Sequence, residues 1–246
     1  MNDAPILEVN TMQMPAHISQ EFEHELEDIR AKVLTMGGLV EQHLAKALGA
    51  LQQGKSELAD EVSTNDFKVN TLEVGIDEGC TQVLARRQPA ASDLRLVLAV
   101  IKIIRDLERV GDEAAKISRM VLRLLETESP KSYYINVLAM ANHVRRILRD
   151  TLDAFARSDA DAALRIARED PSVDREYDAI MRQLVTYMME DPRSISTVLN
   201  VVWVVRALER IGDHVNNICE SIIYQVKGMD VRHVDLDEVA KDIKDN

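Results

Sequence analysis

Apolar residues recur every three or four positions along most of the chain, the spacing of one face of an α-helix. The first such pattern covers residues 18–52 and stops at Gly54. A second covers residues 56–87 and ends before Pro89, because proline disfavours a helical conformation in the preceding residue. The polar run at residues 64–66 predicts a kink in this second helix.

A third helical pattern covers residues 93 to 126, and Ser92 and Asp93 are suitable residues to cap its N-terminus. The polar segment at residues 127–131 is the best candidate for a linker. The same order of elements then returns in the second half of the chain. Its three predicted helical regions are residues 132–156, residues 170–190 and residues 194–227, the last followed by Gly228 as a helix-ending glycine.

The chain therefore predicts an all-α fold of two tandem three-helix bundles related by an internal repeat. Residues 18–127 form the first predicted bundle and residues 131–228 the second. Residues 1–17 and 229–246 are predicted tails. Composition agrees, because apolar residues reach 46% while aromatic residues reach only 4%, without runs typical of strands.

One hexapeptide marks the repeat most clearly. Residues 107–112, Leu-Glu-Arg-Val-Gly-Asp, return as residues 208–213, Leu-Glu-Arg-Ile-Gly-Asp, and the two glutamates differ in number by 209 − 108 = 101. On a helix the glutamate and aspartate of each copy lie about 40° apart and away from the apolar stripe. Their Cβ atoms are about 5–6 Å apart, so each copy holds two like charges together. This arrangement predicts a metal site in each bundle.

A solvated acidic face is the plainer interpretation, with Arg105 and Arg109, or Arg206 and Arg210, neutralising the acids. The recurrence of glutamate, arginine, glycine and aspartate in a fixed order favours metal binding instead. Gly111 and Gly212 add to this, since a glycine inside a helix costs about 1 kcal/mol relative to alanine. Here the glycine lets a neighbouring helix approach the carboxylates closely.

The preceding helix of each bundle supplies polar side chains that could face these pairs. Asp66, Asn70, Glu73 and Asp77 form a polar line in the first half, and Asp170, Asp174 and Asp178 form one in the second. Oxygen ligands of this kind suit Mg²⁺, Ca²⁺, Mn²⁺ or iron. Asp170 precedes Pro171, so a purely N-capping role is the alternative for it. The predicted metal ligands are Glu108, Asp112, Glu209, Asp213, Asp170, Asp174, Asp66 and Asn70.

Charge and motifs restrict the function. A net charge of −12 argues against a nucleic-acid partner. Phosphate-binding loops, dinucleotide fingerprints and nucleophile motifs are absent from the sequence. We expect no catalytic activity, although a carboxylate-metal phosphohydrolase is the alternative, because such sites can activate water. The N-terminal residues lack the features of a secretory signal, which predicts a cytoplasmic protein.

Residues 18–228 resemble the PhoU family of phosphate-specific transport system accessory proteins. Five segments carry the resemblance: residues 36–41, Met-Gly-Gly-Leu-Val-Glu; residues 86–95, Arg-Arg-Gln-Pro-Ala-Ala-Ser-Asp-Leu-Arg; residues 191–193, Asp-Pro-Arg; and the two hexapeptides, the second followed by His214, Asn217 and Ile218.

The resemblance implies paired three-helix bundles that bind metal clusters through Glu/Asp-x-x-x-Asp motifs. The motif carries over to the two hexapeptides and to Asp170 with Asp174. In the first half Asp66 matches, but Asn70 replaces a carboxylate, so we expect one negative charge fewer and weaker metal binding there.

The resemblance also implies a role. Such proteins are negative regulators of the bacterial phosphate-starvation response, and they couple the ATPase subunit of the phosphate ABC transporter to a phosphate-sensing histidine kinase. We therefore expect an adaptor that reaches the membrane only through its partners. The exposed helix faces favour a homodimer.

Overall fold

The computed structural model describes residues 16–127, 130, 133–232 and 234, with side chains from residue 20 onward. This part of the chain contains eight α-helices and no β-strand. None of these helices is both long enough and apolar enough to cross a membrane. The predicted tail at residues 1–17 lies outside the described residues except for positions 16 and 17. Of the predicted tail at residues 229–246, position 233 and positions 235–246 also lie outside them.

The first bundle begins with a long helix that ends at Gly54, whose φ of 68° is the left-handed conformation that glycine favours. Its second predicted helix is broken rather than continuous. The break falls at Asp66, inside the polar run that predicted a kink. The four helices are α1 (Ala16–Gln53), α2 (Ser56–Asn65), α3 (Phe67–Arg87) and α4 (Ala91–Leu125).

The second bundle has the same order and ends at Gly228, as predicted. Gly228 has a φ of 72°, and its N–H donates to the Tyr224 carbonyl oxygen at 2.9 Å. A short 3₁₀ turn, Pro192–Ser194, leads into the last helix. The helices are α5 (Ile135–Arg157), α6 (Ala160–Ala167), α7 (Asp170–Glu190) and α8 (Ile195–Lys227).

The capping role predicted for Ser92 and Asp93 is wrong. α4 begins at Ala91, after an extended Ala90, and no side chain caps its first turn. The turn is closed by the backbone instead, since the Asp93 N–H donates to the Ala90 carbonyl oxygen at 3.1 Å. A polar residue near a helix start thus does not have to act as the cap when the preceding backbone supplies the acceptor.

α4 and α8 lie antiparallel at the centre of the molecule and join the two bundles. Three contacts fix their direction: Arg95 with Gln225 at one end, Asp106 with His214 near the middle, and Lys116 with Trp203 at the other end. The repeated hexapeptides therefore face each other near the centre of this helix pair. Their apolar residues are fully buried in one continuous core: Leu107, Val110, Leu208 and Ile211.

The two cysteines belong to the core of opposite bundles. Cys80 and Cys219 are both buried and neither forms a disulfide. Burial raises the pKa of each thiol to about 12, so both remain protonated near neutral pH.

Candidate metal centres

The hexapeptide glycines let one helix of each bundle pack closely against another. A Cβ atom added at Gly111 would lie 3.3 Å from Val69 Cγ1, and one added at Gly212 would lie 3.1 Å from Val173 Cγ1. Both distances are tighter than ordinary van der Waals contact. The glycine therefore brings α3 against α4 and α7 against α8, as the sequence predicted, and the acidic faces of each helix pair meet beside this contact.

The first acidic cluster lies between α3 and α4. Burial raises the pKa of Asp66, and the nearby Asp112 carboxylate raises it further, whereas Arg119 opposes the shift. Burial also raises the pKa of Glu108, with Asp112, Glu73 and Asp66 all adding to that shift. These mutual effects place four carboxylates close enough to repel one another. Asn70 is exposed on the same helix between two of them.

The second acidic cluster lies between α7 and α8. Burial, followed by the Asp174 and Asp213 carboxylates, raises the pKa of Asp170 to about 6. The pKa values of Glu209 and Asp213 are also raised, first by burial and then by neighbouring carboxylates that include Asp174 in both cases. This cluster also contains four carboxylates that repel one another.

The neutralising ion pairs of the plainer interpretation do not form in the described part of the chain. Arg210 Nε lies 3.3 Å from Glu113 Oε1, a residue outside both clusters. No carboxylate of either cluster forms an ion pair or hydrogen bond with another described residue. Nearby guanidinium groups offset part of the charge without pairing with it, since Arg109 lowers the pKa of Glu108, and Arg206 and Arg210 lower that of Glu209. A bound cation would stabilise the negative charge that remains.

The donor set fits a hard cation. Every cluster member supplies oxygen, and Asp66 Oδ1 is buried without a hydrogen-bond partner among the described residues. In the observed rotamers no three His, Cys, Asp or Glu side chains among those the structure describes are arranged to hold a metal ion. Asp112, Asp174 and Asp213 are exposed, so their carboxylates are free to reorient toward a cation.

Two residues next to the second hexapeptide have a different role from the clusters. His214 Nδ1 donates to Asp106 Oδ1 at 2.9 Å, and Asn217 Nδ2 donates to the same oxygen at 3.1 Å. Both contacts cross from α8 to α4 and connect the bundles. Asp170, in turn, lies inside the first turn of α7 and makes no capping hydrogen bond, so the capping-only alternative is not supported.

Glu73 belongs to the first cluster, although the metal ligands predicted from the sequence do not include it. It lies on the predicted polar line, one turn beyond Asn70, and it raises the pKa of Glu108. The signal was the i, i+7 spacing from Asp66, which places both side chains on one face of α3. With Glu73 the first cluster has as many carboxylates as the second. The weaker metal binding expected from Asn70 stays a prediction.

These features define a class: a helical-bundle protein built from two repeats, each with an acidic cluster beside a close contact between helices at a glycine. The family model described as the PhoU domain matches the chain twice, at residues 33–121 and 137–222. The chain belongs to the PhoU family.

Relatives match along almost the whole chain. A phosphate-specific transport system accessory protein PhoU homolog from Pseudomonas aeruginosa is 50% identical over 239 residues, covering 97% of this chain and 98% of that protein. The phosphate-specific transport system accessory protein PhoU of Escherichia coli K12 is 48% identical over 233 residues, covering 95% of this chain and 96% of its own length.

Solved structures agree with the fold. The crystal structure of PhoU from Pseudomonas aeruginosa is similar with a TM-score of 0.82 and 52% identity, covering 85% of this chain and 100% of that one. The phosphate transport system regulatory protein PhoU from Streptococcus pneumoniae is similar with a TM-score of 0.77 and 31% identity, covering 85% and 99%. The two tandem helical bundles predicted from the sequence are confirmed.

Proposed function

We propose that this chain is a negative regulator of the bacterial phosphate-starvation response. In this role it couples the ATPase subunit of a phosphate ABC transporter to a phosphate-sensing histidine kinase in the cytoplasm. The observation that carries the proposal is the likeness, over nearly the full length, to proteins named as accessory to the phosphate-specific transport system. The S. pneumoniae relative is itself named a regulatory protein.

The proposed adaptor acts by binding and not by catalysis. Exposed apolar side chains on α4 and α8, among them Leu98 and Trp203, offer a surface for a second copy of the chain or a partner domain. The phosphohydrolase alternative would be favoured by turnover of phosphoesters by metal-loaded protein that Asp213→Ala abolishes.

A reporter strain tests the regulatory role. Deletion of the gene in its own host, with a starvation-induced promoter driving the reporter, is expected to give high expression even when phosphate is plentiful. Reintroduction of the wild-type chain restores repression. Unchanged expression in the deletion strain contradicts the proposal, whatever metal or ligand the protein binds.

Co-purification tests the coupling. The tagged chain is expected to retain the transporter ATPase subunit and the sensor kinase from cells grown in high phosphate, and to retain less of the kinase after starvation. Retention of neither protein in either medium contradicts the adaptor role.

Size-exclusion chromatography with light scattering tests whether the chain forms the proposed homodimer.

We also propose that the two acidic clusters bind metal ions. Glu108, Asp112, Asp66 and Glu73 would hold ions at the first cluster, and Glu209, Asp213, Asp170 and Asp174 at the second. A bound hard cation supplies positive charge that offsets carboxylate repulsion and offers open positions to oxygen ligands. Asn70 contributes a neutral amide oxygen to the first cluster.

Elemental analysis tests the metal proposal directly. A variant with Glu108, Asp112, Glu209 and Asp213 all changed to alanine is expected to lose most of the bound metal. A matched control removes four exposed carboxylates outside the clusters, at Glu23, Glu57, Asp60 and Glu190, and keeps its metal. Equal metal content in wild type and cluster variant would remove the metal sites from the proposed function.

A further inference from the structure

A cleft of about 330 Å³ lies between α4 and the C-terminal half of α8, apart from both acidic clusters. This volume is at the lower end of the range for small-ligand sites, about 300–1,000 Å³. Four cationic side chains and three carboxylates line it, in a chain whose formal charge is −12. The cleft therefore carries a net positive charge, opposite in sign to the charge of the whole chain.

Arg232 faces two carboxylates at the rim of the cleft. Arg232 Nε donates to Asp230 Oδ1 at 2.9 Å, and this contact lowers the pKa of Asp230. Glu220 also lies close enough to Arg232 to raise the pKa of its guanidinium. Two of the three lining carboxylates thus face Arg232, and Lys102 also lowers the pKa of one of them, Asp230. Four cations against three carboxylates leave one excess positive charge in the cleft.

The remaining cations come from one face of α4. The Lys102 ammonium lies 4.9 Å from the centre of the Tyr224 ring, which holds it at the wall of the cleft. Arg105 and Arg109 are exposed and donate to no other residue in the described part of the chain. Although Arg109 lies near Glu108, no hydrogen bond links them. Two guanidinium groups therefore have free donors beside the cleft.

The third carboxylate, Asp106, is a fixed acceptor within this basic cleft. Its Oδ1 accepts from His214 Nδ1 at 2.9 Å and from Asn217 Nδ2 at 3.1 Å, and its side chain is only 14% exposed. Both bonds end at Oδ1, so Oδ2 keeps its lone pairs for a ligand. A carboxylate repels a fully deprotonated anion but accepts a hydrogen bond from one that carries an O–H group.

Inorganic phosphate carries such an O–H group near neutral pH, whereas sulfate does not. The geometry points to a binding site for inorganic phosphate in this cleft, held by Lys102, Arg105 and Arg109 and selected over sulfate by Asp106. This inference deepens the proposed regulatory role, on which its biological meaning rests. The binding itself needs neither a partner protein nor a metal ion.

Equilibrium dialysis of the full chain against radiolabelled phosphate tests the site, with a chelator present so that metal at the acidic clusters contributes nothing. Wild-type protein is expected to bind phosphate, and Arg105→Gln/Arg109→Gln to bind it at least about tenfold more weakly, the loss typical of charge-assisted hydrogen bonds. Absence of phosphate binding by wild type under these conditions overturns the inference.

The internal repeat provides the matched control, because Arg206 and Arg210 stand 101 positions after Arg105 and Arg109 and do not line the cleft. Arg206→Gln/Arg210→Gln removes the same charge, and it is expected to change phosphate binding by less than about twofold. An equal loss in both variants would show general charge attraction and would contradict a site in the cleft.

Competition with sulfate tests the role of Asp106. Wild type is expected to prefer phosphate by at least about tenfold, and Asp106→Asn to narrow that preference by binding sulfate more tightly. Equal affinity of wild type for the two anions overturns the selection by Asp106. Failure of these binding results leaves the reporter phenotype of the deletion strain intact, so the inference and the regulatory role fail separately.

Discussion

The two acidic clusters share the same glycine–valine contact, but their acidic residues stand at different positions on α3 and α7. The first has Asn70 and then Glu73 on α3, whereas the second has Asp174 and then Tyr177 on α7. Since Asp66 corresponds to Asp170 in the repeat, Asn70 corresponds to Asp174 and Glu73 corresponds to Tyr177. The first cluster thus has a carboxylate, Glu73, about one turn after the position that Asp174 occupies in the second. Each cluster has four carboxylates.

This difference teaches that charge in a duplicated site can be preserved while its position moves along a helix. The clusters nevertheless differ in electrostatic strain. The pKa of Asp170 is raised to about 6, and the positive charge of Arg119 offsets part of the rise at Asp66. Asp170 is therefore more strained than Asp66 without a cation.

The largest expected effect comes from filling the helix contact. Gly212→Leu would force α7 from α8 and is expected to destabilise the protein by about 1–3 kcal/mol, the usual cost of overpacking. Gly111→Leu is expected to cost slightly less, because its contact with Val69 is looser by 0.2 Å, 3.3 against 3.1 Å. Urea denaturation of both variants measures the two free energies of unfolding.

A compensating substitution separates overpacking from other effects. Val173→Ala combined with Gly212→Leu removes the atom nearest the new side chain, and it should recover part of the lost stability. If the double variant loses as much free energy of unfolding as the two single variants together, or more, Gly212 does not serve to make room for Val173.

The next effect is pH-dependent and larger in the second cluster. The folded pKa of Asp170, about 6, lies above its ordinary value of 3.8. Its contribution to stability is thus fully present below pH 3.8 and is lost as the pH rises through 6. After discounting for solvent screening, metal-free Asp170→Asn should exceed wild type in stability by about 1 kcal/mol near pH 7.5.

Denaturation at about pH 4.5 with a chelator provides the comparison, because Asp170 is then largely protonated in the folded protein and asparagine mimics it. The difference between wild type and variant should fall there to about a third of its value near pH 7.5, because the unfolded carboxyl is still mostly ionised. Asp66→Asn should show a smaller difference near neutral pH. A gap of the same size at both pH values would show that Asp170 does not carry the electrostatic strain.

The smallest effect concerns the displaced carboxylate. In a background of Glu209→Gln/Asp213→Asn, which leaves only the first cluster, Glu73→Gln is expected to weaken Mn²⁺ binding by about threefold to tenfold. Tyr177→Phe in the reciprocal background is the matched control and should leave Mn²⁺ affinity within about twofold. Electron paramagnetic resonance of free Mn²⁺ measures both. Unchanged Mn²⁺ affinity in Glu73→Gln would show that Glu73 is not a metal ligand and that only three carboxylates bind metal at the first cluster.

Periodicity predicted the helices well because the buried faces of this fold are long and regular. The apolar positions around Leu107 and Leu208 step by three and four without interruption. The start of α4 was predicted less well, since a backbone acceptor at Ala90 replaced the expected side-chain cap. Such a choice depends on the conformation of the residues after Pro89 and not on residue type alone.

The clusters were predicted only in part for a related reason. Spacing four apart identifies the acid pair within one helix, and the duplicated motif identified it twice. The register of one helix against another decides which acids of α3 face Glu108, and that register is set by the Gly111–Val69 contact. The bond between Asp106 and His214 joins residues 108 positions apart, which no local pattern could indicate.

Metal stoichiometry in two variants that each disable one cluster tests the central claim most directly. Glu108→Gln/Asp112→Asn and Glu209→Gln/Asp213→Asn would each be loaded with Mn²⁺, desalted and analysed for bound metal. Two clusters with equal numbers of carboxylates predict that each variant loses a similar share of the wild-type metal. Full retention of metal in both variants, or a loss confined to the second, would contradict that account.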